Sequence, residues 1–383
     1  MSTTADLFYE LVPRAPDWRV DWTLIDGTFD WIRRLRGSPQ DPIHHAEGDV
    51  WIHTRMVCEA LAGLEEWRNL AESDRRLTFA AALLHDVAKP ETTRIDEATG
   101  RISQPGHSRA GAIRARGLLW RMGWPVEQRE RLCALVVRHQ NPFWLIERAD
   151  WDARRIAVAG SLSVENRLLA LLAEADMRGR ICQDKDAVLL KIDLFREICR
   201  DLDCYDRPFA FPDDHTRVSY FRDPEGRSPF YPVFDDTRCE VVVMAGLPGA
   251  GKSSWIAANA GDRPVVSLDA LRRELGVDPA GNQGVVIQAG KELAKTHLRA
   301  GRPFIWDATN LSRQIRGQCL DLLHDYRARA RIVHVEAPEA LLRADNRARE
   351  AQVPEAVIDR LIGKWEMPDL TEAHALEWVV RQG

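Results

Sequence analysis

The sequence has little of what would place it outside a cell, in a membrane or along a nucleic-acid duplex. Its seven cysteines, at positions 58, 133, 182, 199, 204, 239 and 319, form no CxxC pair. Scattered and odd in number, they exclude a disulfide framework or a zinc ribbon and predict reduced thiols, most of them core residues. The opening "MSTTADLFYE" has no basic stretch followed by an apolar one, so no signal peptide is expected. No run approaches the roughly 20 apolar residues that span a bilayer, and no membrane association is expected. The formal net charge of −5 over 383 residues excludes a global basic field. Contact with a polyanion would have to come from local patches. Repeats and low-complexity tracts are lacking too. What remains is a cytoplasmic globular protein, 45% hydrophobic and 29% charged, long enough for two cores.

What is there has two textures. Residues 1–204 are expected to form an all-helical domain. "WIHTRMVCEALAGLEEW", "SRAGAIRARGLLWRM", "EQRERLCALVVRHQ" and "VENRLLALLAEADMRGR" each space apolar residues at three and four. Residues 205–237, rich in Pro, Asp, Arg and aromatics, show no sustained period. They read as an ordered linker, or as a segment whose Phe, Tyr and Arg side chains cover an active site. Over 238–383 short apolar strands alternate with helical stretches, which predicts a parallel sheet flanked by helices. The expected fold class is therefore two domains, all-α and then α/β with a phosphate-binding loop.

In the first domain "ALLHDVAKP" sets His85, Asp86 and Lys89 in a run apolar enough for a core, where an unpaired charge is costly. His53, His107, His139 and Asp176 recur on other helices or at their edges. Imidazoles and carboxylates converging from several helices would form a transition-metal site, whose ion would neutralise the carboxylates. His44 and His45 fit no such pattern and read as surface residues. The order "EGDVWIHTRMV … ALLHDVAKP … GHSRAGA … LVVRHQ … LLAEAD" resembles the HD phosphohydrolase superfamily, above all the HD domain attached to bacterial CCA-adding tRNA nucleotidyltransferases. That resemblance implies that His53, His85, Asp86 and Asp176 ligate a metal and that His107 and His139 help hold a second. It also implies that Lys89 contacts a substrate phosphate. The implied chemistry is phosphoester hydrolysis with one or two divalent ions, with Mn, Fe, Co, Ni and Zn all suited to such ligands.

In the second domain "GLPGAGKS" completes GxxxxGK[ST] between an apolar strand and a helix. Backbone N–H groups of such a loop cradle the phosphates of ATP or another NTP. Lys252 would reach the β- and γ-phosphates and the Ser253 hydroxyl would hold Mg²⁺. Gly246, Leu247, Pro248, Gly249, Ala250, Gly251 and Ser254 complete the expected nucleotide-binding set. In "VVSLDALRREL" Asp269 could take a proton from an attacking hydroxyl, and Arg272, one turn later, could grip an acceptor phosphate. "PFIWDATNL" puts Asp307, Thr309 and Asn310 at another strand end. Arg343, Arg347 and Arg349 crowd one stretch, either a solvated helix or a lid whose arginines neutralise the transferred phosphoryl group.

These residues resemble the 5′-hydroxyl polynucleotide kinase family. The resemblance implies Asp269 as general base and Arg272 as the ligand of the acceptor's 3′-phosphate. It implies substrate-binding Asp307 and Asn310 in a DTN-like motif, here with Ala308 inserted, and Arg349 as the lid arginine. The spacing from Arg349 to Val353-Pro354 differs by a residue from the family pattern, which keeps Arg347 in contention. An HD phosphohydrolase followed by such a kinase resembles the bacterial HD-Pnk proteins of RNA repair. The implied activity is bifunctional RNA end healing. The kinase would phosphorylate a 5′-OH end, and the HD domain would hydrolyse a 2′,3′-cyclic, 2′- or 3′-phosphate at the other. The implied partners are RNA or DNA ends and a following RNA ligase. The alternative is a small-molecule or nucleotide kinase fused to an HD nucleotidase.

Overall fold

A computed structural model describes residues 8, 10–223, 226–278, 281–349 and 351–382. The chain forms two compact units, Met1–Ala210 and Phe211–Gly383.

The first unit is built on seven longer helices: α1 (Val50–Gly63), α2 (Glu72–Leu84), α3 (His107–Arg121), α4 (Val126–Arg138), α5 (Asp150–Ser161), α6 (Asn166–Arg178) and α7 (Lys185–Asp201). Two of them are apolar nearly all round, the pattern of a helix enclosed by others. In α2 every residue from Phe79 to Leu84 is buried, and in α6 so is every residue from Leu168 to Ala173. Small residues set how closely the helices approach. A Cβ on Gly179, at the end of α6, would lie 2.7 Å from the backbone nitrogen of Val57 on α1. The bare glycine therefore lets the two helices meet just where Asp176 and His53 face each other. Asp49 starts α1 by accepting the N–H of Ile52 at 2.9 Å. The unit is not wholly helical, because β1 (Arg94–Ile95) and β2 (Ile102–Ser103) pair as a small antiparallel hairpin. Two-residue strands are too short to leave an alternating pattern in the sequence.

The second unit opens with α8 (Asp214–Arg222), inside the stretch expected to be a linker. Asp213 caps this helix through the N–H of Thr216. Arg217 donates to the carbonyls of Leu370, Ala373 and His374, so the segment is part of the unit's own packing. A five-stranded parallel sheet follows in the order β4-β5-β3-β6-β7. The strands are β3 (Cys239–Ala245), β4 (Val265–Ser267), β5 (Phe304–Asp307), β6 (Ala328–Glu336) and β7 (Ala375–Val380). Helices α9 (Lys252–Asn259), α10 (Leu268–Glu274), α11 (Gln283–Arg299), α12 (Arg313–Asp325), α13 (Glu339–Ala348) and α14 (Glu355–Ile362) complete it. Val241 to Ala245 of the central strand β3 are fully buried, as expected when helices cover both faces. In such sheets ligands bind beyond the carboxyl ends of the strands. Here β3, β4 and β5 end at Ala245, Ser267 and Asp307. Among the described residues no single helix is long and apolar enough to cross a membrane.

Candidate active sites

The first site lies in the helical unit. His53 comes from α1, Asp176 from α6, and His107 is the first residue of α3. His85 and His139 sit one residue beyond α2 and α4, and Asp86 and Lys89 follow His85. All seven are buried. His53 Nε2 lies 3.1 Å from Asp176 Oδ1, 3.6 Å from Asp86 Oδ2 and 3.4 Å from His85 Nε2. Asp86 Oδ2 is 3.1 Å from His85 Nε2, while Asp86 Oδ1 is 3.5 Å from His107 Nε2 and 4.0 Å from His139 Nε2. Two sets of potential ligand atoms thus share Asp86: one with His53 and His85, the other with His107 and His139.

The donor chemistry fits divalent metal. His85, His107 and His139 each place Nδ1 on the carbonyl of the residue three before, at 2.8, 2.8 and 2.7 Å. A carbonyl only accepts, so each ring carries a proton on Nδ1 and turns Nε2 inward. Among the described residues the buried Nε2 of His139 finds no hydrogen-bond partner. Burial drives the His139 pKa down to about 3, which keeps the ring neutral as a ligand must be. Asp86 is held well below the usual carboxylate range: burial opposes its charge, but His85, Lys89 and His107 outweigh it. Lys89 Nζ lies 2.7 Å from Asp86 Oδ2 and donates to Gln40 Oε1 at 2.7 Å. That ion pair is how a lysine and an aspartate are tolerated in this apolar run.

Three residues around the cage had no role in the sequence reading. His45, expected at the surface, is buried: its ring packs edge-on against His53 and its Nδ1 bonds Glu47 at 2.8 Å. Glu47 also reaches His53, and its location between sequence-distant partners left no local signal. Arg180 grips Asp176 with two bonds, Nε to Oδ1 at 2.9 Å and Nη2 to Oδ2 at 2.7 Å. Its position four residues after Asp176, just past the end of α6, was a readable cue.

The second site is a cavity of about 390 Å³ at the carboxyl ends of the sheet, walled in part by Lys252, Ser253, Asp269, Arg272, Asp307 and Arg349. Pro248, Gly249, Gly251 and Ser254 line it too, while Leu247 and Ala250 are buried behind the loop. The loop turns tightly at Gly249, where φ is +81° and a Cβ would lie 2.4 Å from the Leu342 carbonyl oxygen. Gly251, with φ of +105°, starts α9 and has the side chain of Arg381 against it. Arg381, unremarked in the sequence, pairs with Asp345 at 2.5 Å. Lys252 donates to the carbonyls of Gly246 and Leu247 at 2.8 and 3.0 Å. Burial lowers its pKa to about 8, with Asp307 and Asp269 acting in the opposite sense. Asp307 accepts the Ser267 hydroxyl at 3.0 Å, and its pKa is raised by burial although Lys252 opposes the rise.

Asp269 sits in the first turn of α10 with Arg272 one turn on, and the two are ion-paired. Arg349 Nη2 is 4.0 Å from Asp269 Oδ2. Arg347 points elsewhere, 3.6 Å from Glu355, and Arg343 is held by Glu339, Glu355 and Asp359. Asn310 departs from the substrate-binding role expected of it. It is buried, with Nδ2 donating to the Met244 carbonyl at 2.8 Å, so it ties β5's exit to β3.

Comparison with known proteins agrees with this division. The HD domain family matches residues 50–176 and the AAA domain family matches residues 241–368. The chain thus joins a helical segment similar to the HD domain family to a later segment, with a parallel sheet flanked by helices, similar to the AAA domain family. The HD part is similar to tRNA nucleotidyltransferases. Identity is 39% over 107 residues to a CC-adding tRNA nucleotidyltransferase of Thermus thermophilus, covering 28% of this chain and 23% of that protein. It is 40% over 107 residues to a multifunctional CCA protein of Halorhodospira halophila, with the same two coverages of 28% and 23%. The chain thus spans about a quarter of the length of these curated relatives. Among solved structures, a candidate kinase from Chloroflexus aurantiacus aligns at 17% identity and TM-score 0.33, over 38% of this chain and 86% of that one. A sugar kinase from Janibacter sp. aligns at 17% and 0.30, over 37% and 85%. At that distance neither says anything of an acceptor.

Proposed function

We propose that the protein is a bifunctional enzyme that heals RNA ends in the cytoplasm, readying them for a ligase. The observation that carries the kinase half is one cavity holding a phosphate loop with Lys252, a carboxylate at Asp269 and an arginine at Arg272. ATP with Mg²⁺ on Ser253 would present its γ-phosphate there. Asp269 takes the proton of a 5′-hydroxyl, the freed oxygen bonds to the γ-phosphorus, and the bond to the β–γ bridging oxygen breaks to release ADP. Arg272 holds the adjoining phosphate of the acceptor. Arg349 lies beside Asp269, where charge on the transferred group develops.

In the HD half, one or two divalent ions held by His53, His85, Asp86, His107, His139 and Asp176 would supply Lewis acidity toward phosphoryl oxygens and water. Lys89, beside Asp86, adds a cation for the substrate phosphate. Water added across a P–O bond opens a 2′,3′-cyclic phosphate or frees a terminal one. RNA is favoured as substrate because the HD part is similar to proteins named for acting on tRNA. The test is acceptor choice. γ-labelled ATP is offered with a 5′-OH oligoribonucleotide, its DNA counterpart, nucleosides and sugars, and RNA ending in a 2′,3′-cyclic phosphate is offered with Mn²⁺ or Ni²⁺. Label appearing only in the small acceptors would replace this reading with that of a small-molecule kinase.

A further inference from the structure

Glu47, on the segment leading into α1, has a side chain only 1% exposed. Its Oε2 accepts the backbone N–H of Ile181 at 2.8 Å. Its Oε1 lies 2.8 Å from His45 Nδ1 and 2.9 Å from His53 Nδ1. The other ring nitrogen of His53 faces Asp176, Asp86 and His85. The remaining three cage histidines turn Nδ1 to the main-chain carbonyl three residues before. At His53 that arrangement is replaced: the carbonyl of Val50 accepts the Thr54 hydroxyl at 2.8 Å, and the imidazole turns to a carboxylate instead.

We propose that Glu47 is a positioning residue of the metal cage, fixing His53 with Nε2 inward and tying it to Asp176 through the chain that follows α6. The inference rests on the metal-dependent reading of the HD site. Two physical effects combine. A carboxylate beside the distal nitrogen, here 2.9 Å from it, favours the proton on that nitrogen and makes the inner one a stronger donor than a neutral carbonyl does. The bond to Ile181, just past Arg180, holds the loop after α6 against the loop before α1. The backbone bond from Ala46 N–H to the Ile181 carbonyl at 3.0 Å reinforces that join. His53 and Asp176, 3.1 Å apart across the cage, are thereby set at a fixed separation.

The test uses the full chain stripped of metal, with Mn²⁺ affinity measured by titration calorimetry and the visible spectrum of bound Co²⁺ recorded. Glu47→Gln keeps the size of the side chain and removes its charge, and Glu47→Ala removes the contact altogether. Both should weaken Mn²⁺ binding by about 10- to 100-fold and shift the Co²⁺ bands, with a wild-type far-ultraviolet circular dichroism spectrum of the full chain as the sign that the helical unit is folded. Wild-type affinity and spectrum in both variants would overturn the role of Glu47 and leave the metal reading standing. A wild-type chain that takes up neither ion would overturn both.

Discussion

Arg272 reaches back one helical turn to pair with Asp269 on α10, so two side chains expected to act on the same acceptor share one charge pair. The guanidinium also donates to Gln283 Oε1 at 2.8 Å, which aims it from a second side.

Separating the two roles is a matter of kinetics. Asp269→Asn should lower the kinase kcat by about 10²- to 10⁴-fold, the usual range for a lost general base. Arg272→Ala should instead raise KM for the polynucleotide by about 10- to 100-fold, the worth of a hydrogen bond to a charged group, with KM for ATP little altered. Phosphoesterase activity should be untouched in both. Steady-state assays varying each substrate in turn decide this.

The two arginines in contention for a lid role, Arg349 and Arg347, point in different directions. Arg349→Ala should cut kinase kcat by about 10³-fold or more, since arginines at such positions stabilise the transferring phosphoryl group. Arg347→Ala, which loses only an exposed ion pair with Glu355, should stay within a few fold. The reverse ranking would assign the lid role to Arg347.

Metal removal should act differently on the two sites. After chelation, Mg²⁺ alone should restore the kinase. A transition metal such as Mn²⁺ or Ni²⁺ should be needed to restore phosphoesterase, because imidazole-rich sites suit those ions better. Asp86→Asn should abolish phosphoesterase at any metal concentration and leave the kinase at wild-type rate.

Buried His374 should make stability depend on pH. His374 Nδ1 accepts the N–H of Ala330 at 3.1 Å and its Nε2 lies 3.3 Å from His215 Nδ1. Burial lowers its pKa to about 4, assisted by Arg329 and His215 and opposed by Asp214 and Asp235. An unfolded histidine binds its proton below about 6.5, while the folded one resists until about 4. The contribution is therefore complete above pH 6.5 and fades as pH falls toward 4, by up to about 3 kcal/mol. Thermal midpoints at pH 7.5 and 5 should diverge less in His374→Gln than in wild type.

Legibility in the sequence followed how local each feature is. The phosphate loop is contiguous, and its context of strand and helix was plain from "EVVVMAGLPGAGKS". The order of fold classes was equally plain, because a period near 3.6 and short buried strands differ along the chain. Cage residues spread from His53 to Asp176 were legible only because a family pattern links them. Glu47 and His45 were not, since what gives them meaning is the return of Ile181 against them. Asn310 misled for the opposite reason: a polar side chain at a strand end looks available to a ligand, whereas here the Met244 carbonyl claims it. The hairpin of β1 and β2 was too short to show, and α8 was hidden by a composition rich in Pro and Asp.

The anchoring of α8 bears on how the protein is best dissected. Arg217 spans three carbonyls near the start of β7, and Arg329 on β6 pairs with Asp214 and Asp235. A fragment begun at Arg238, where the sequence alone suggests a cut, would strip these partners from Arg329 and uncover the backbone that Arg217 caps. Cloning the C-terminal half from a point ahead of Phe211 keeps that strut, and with it the edge of the sheet on which β7 is laid.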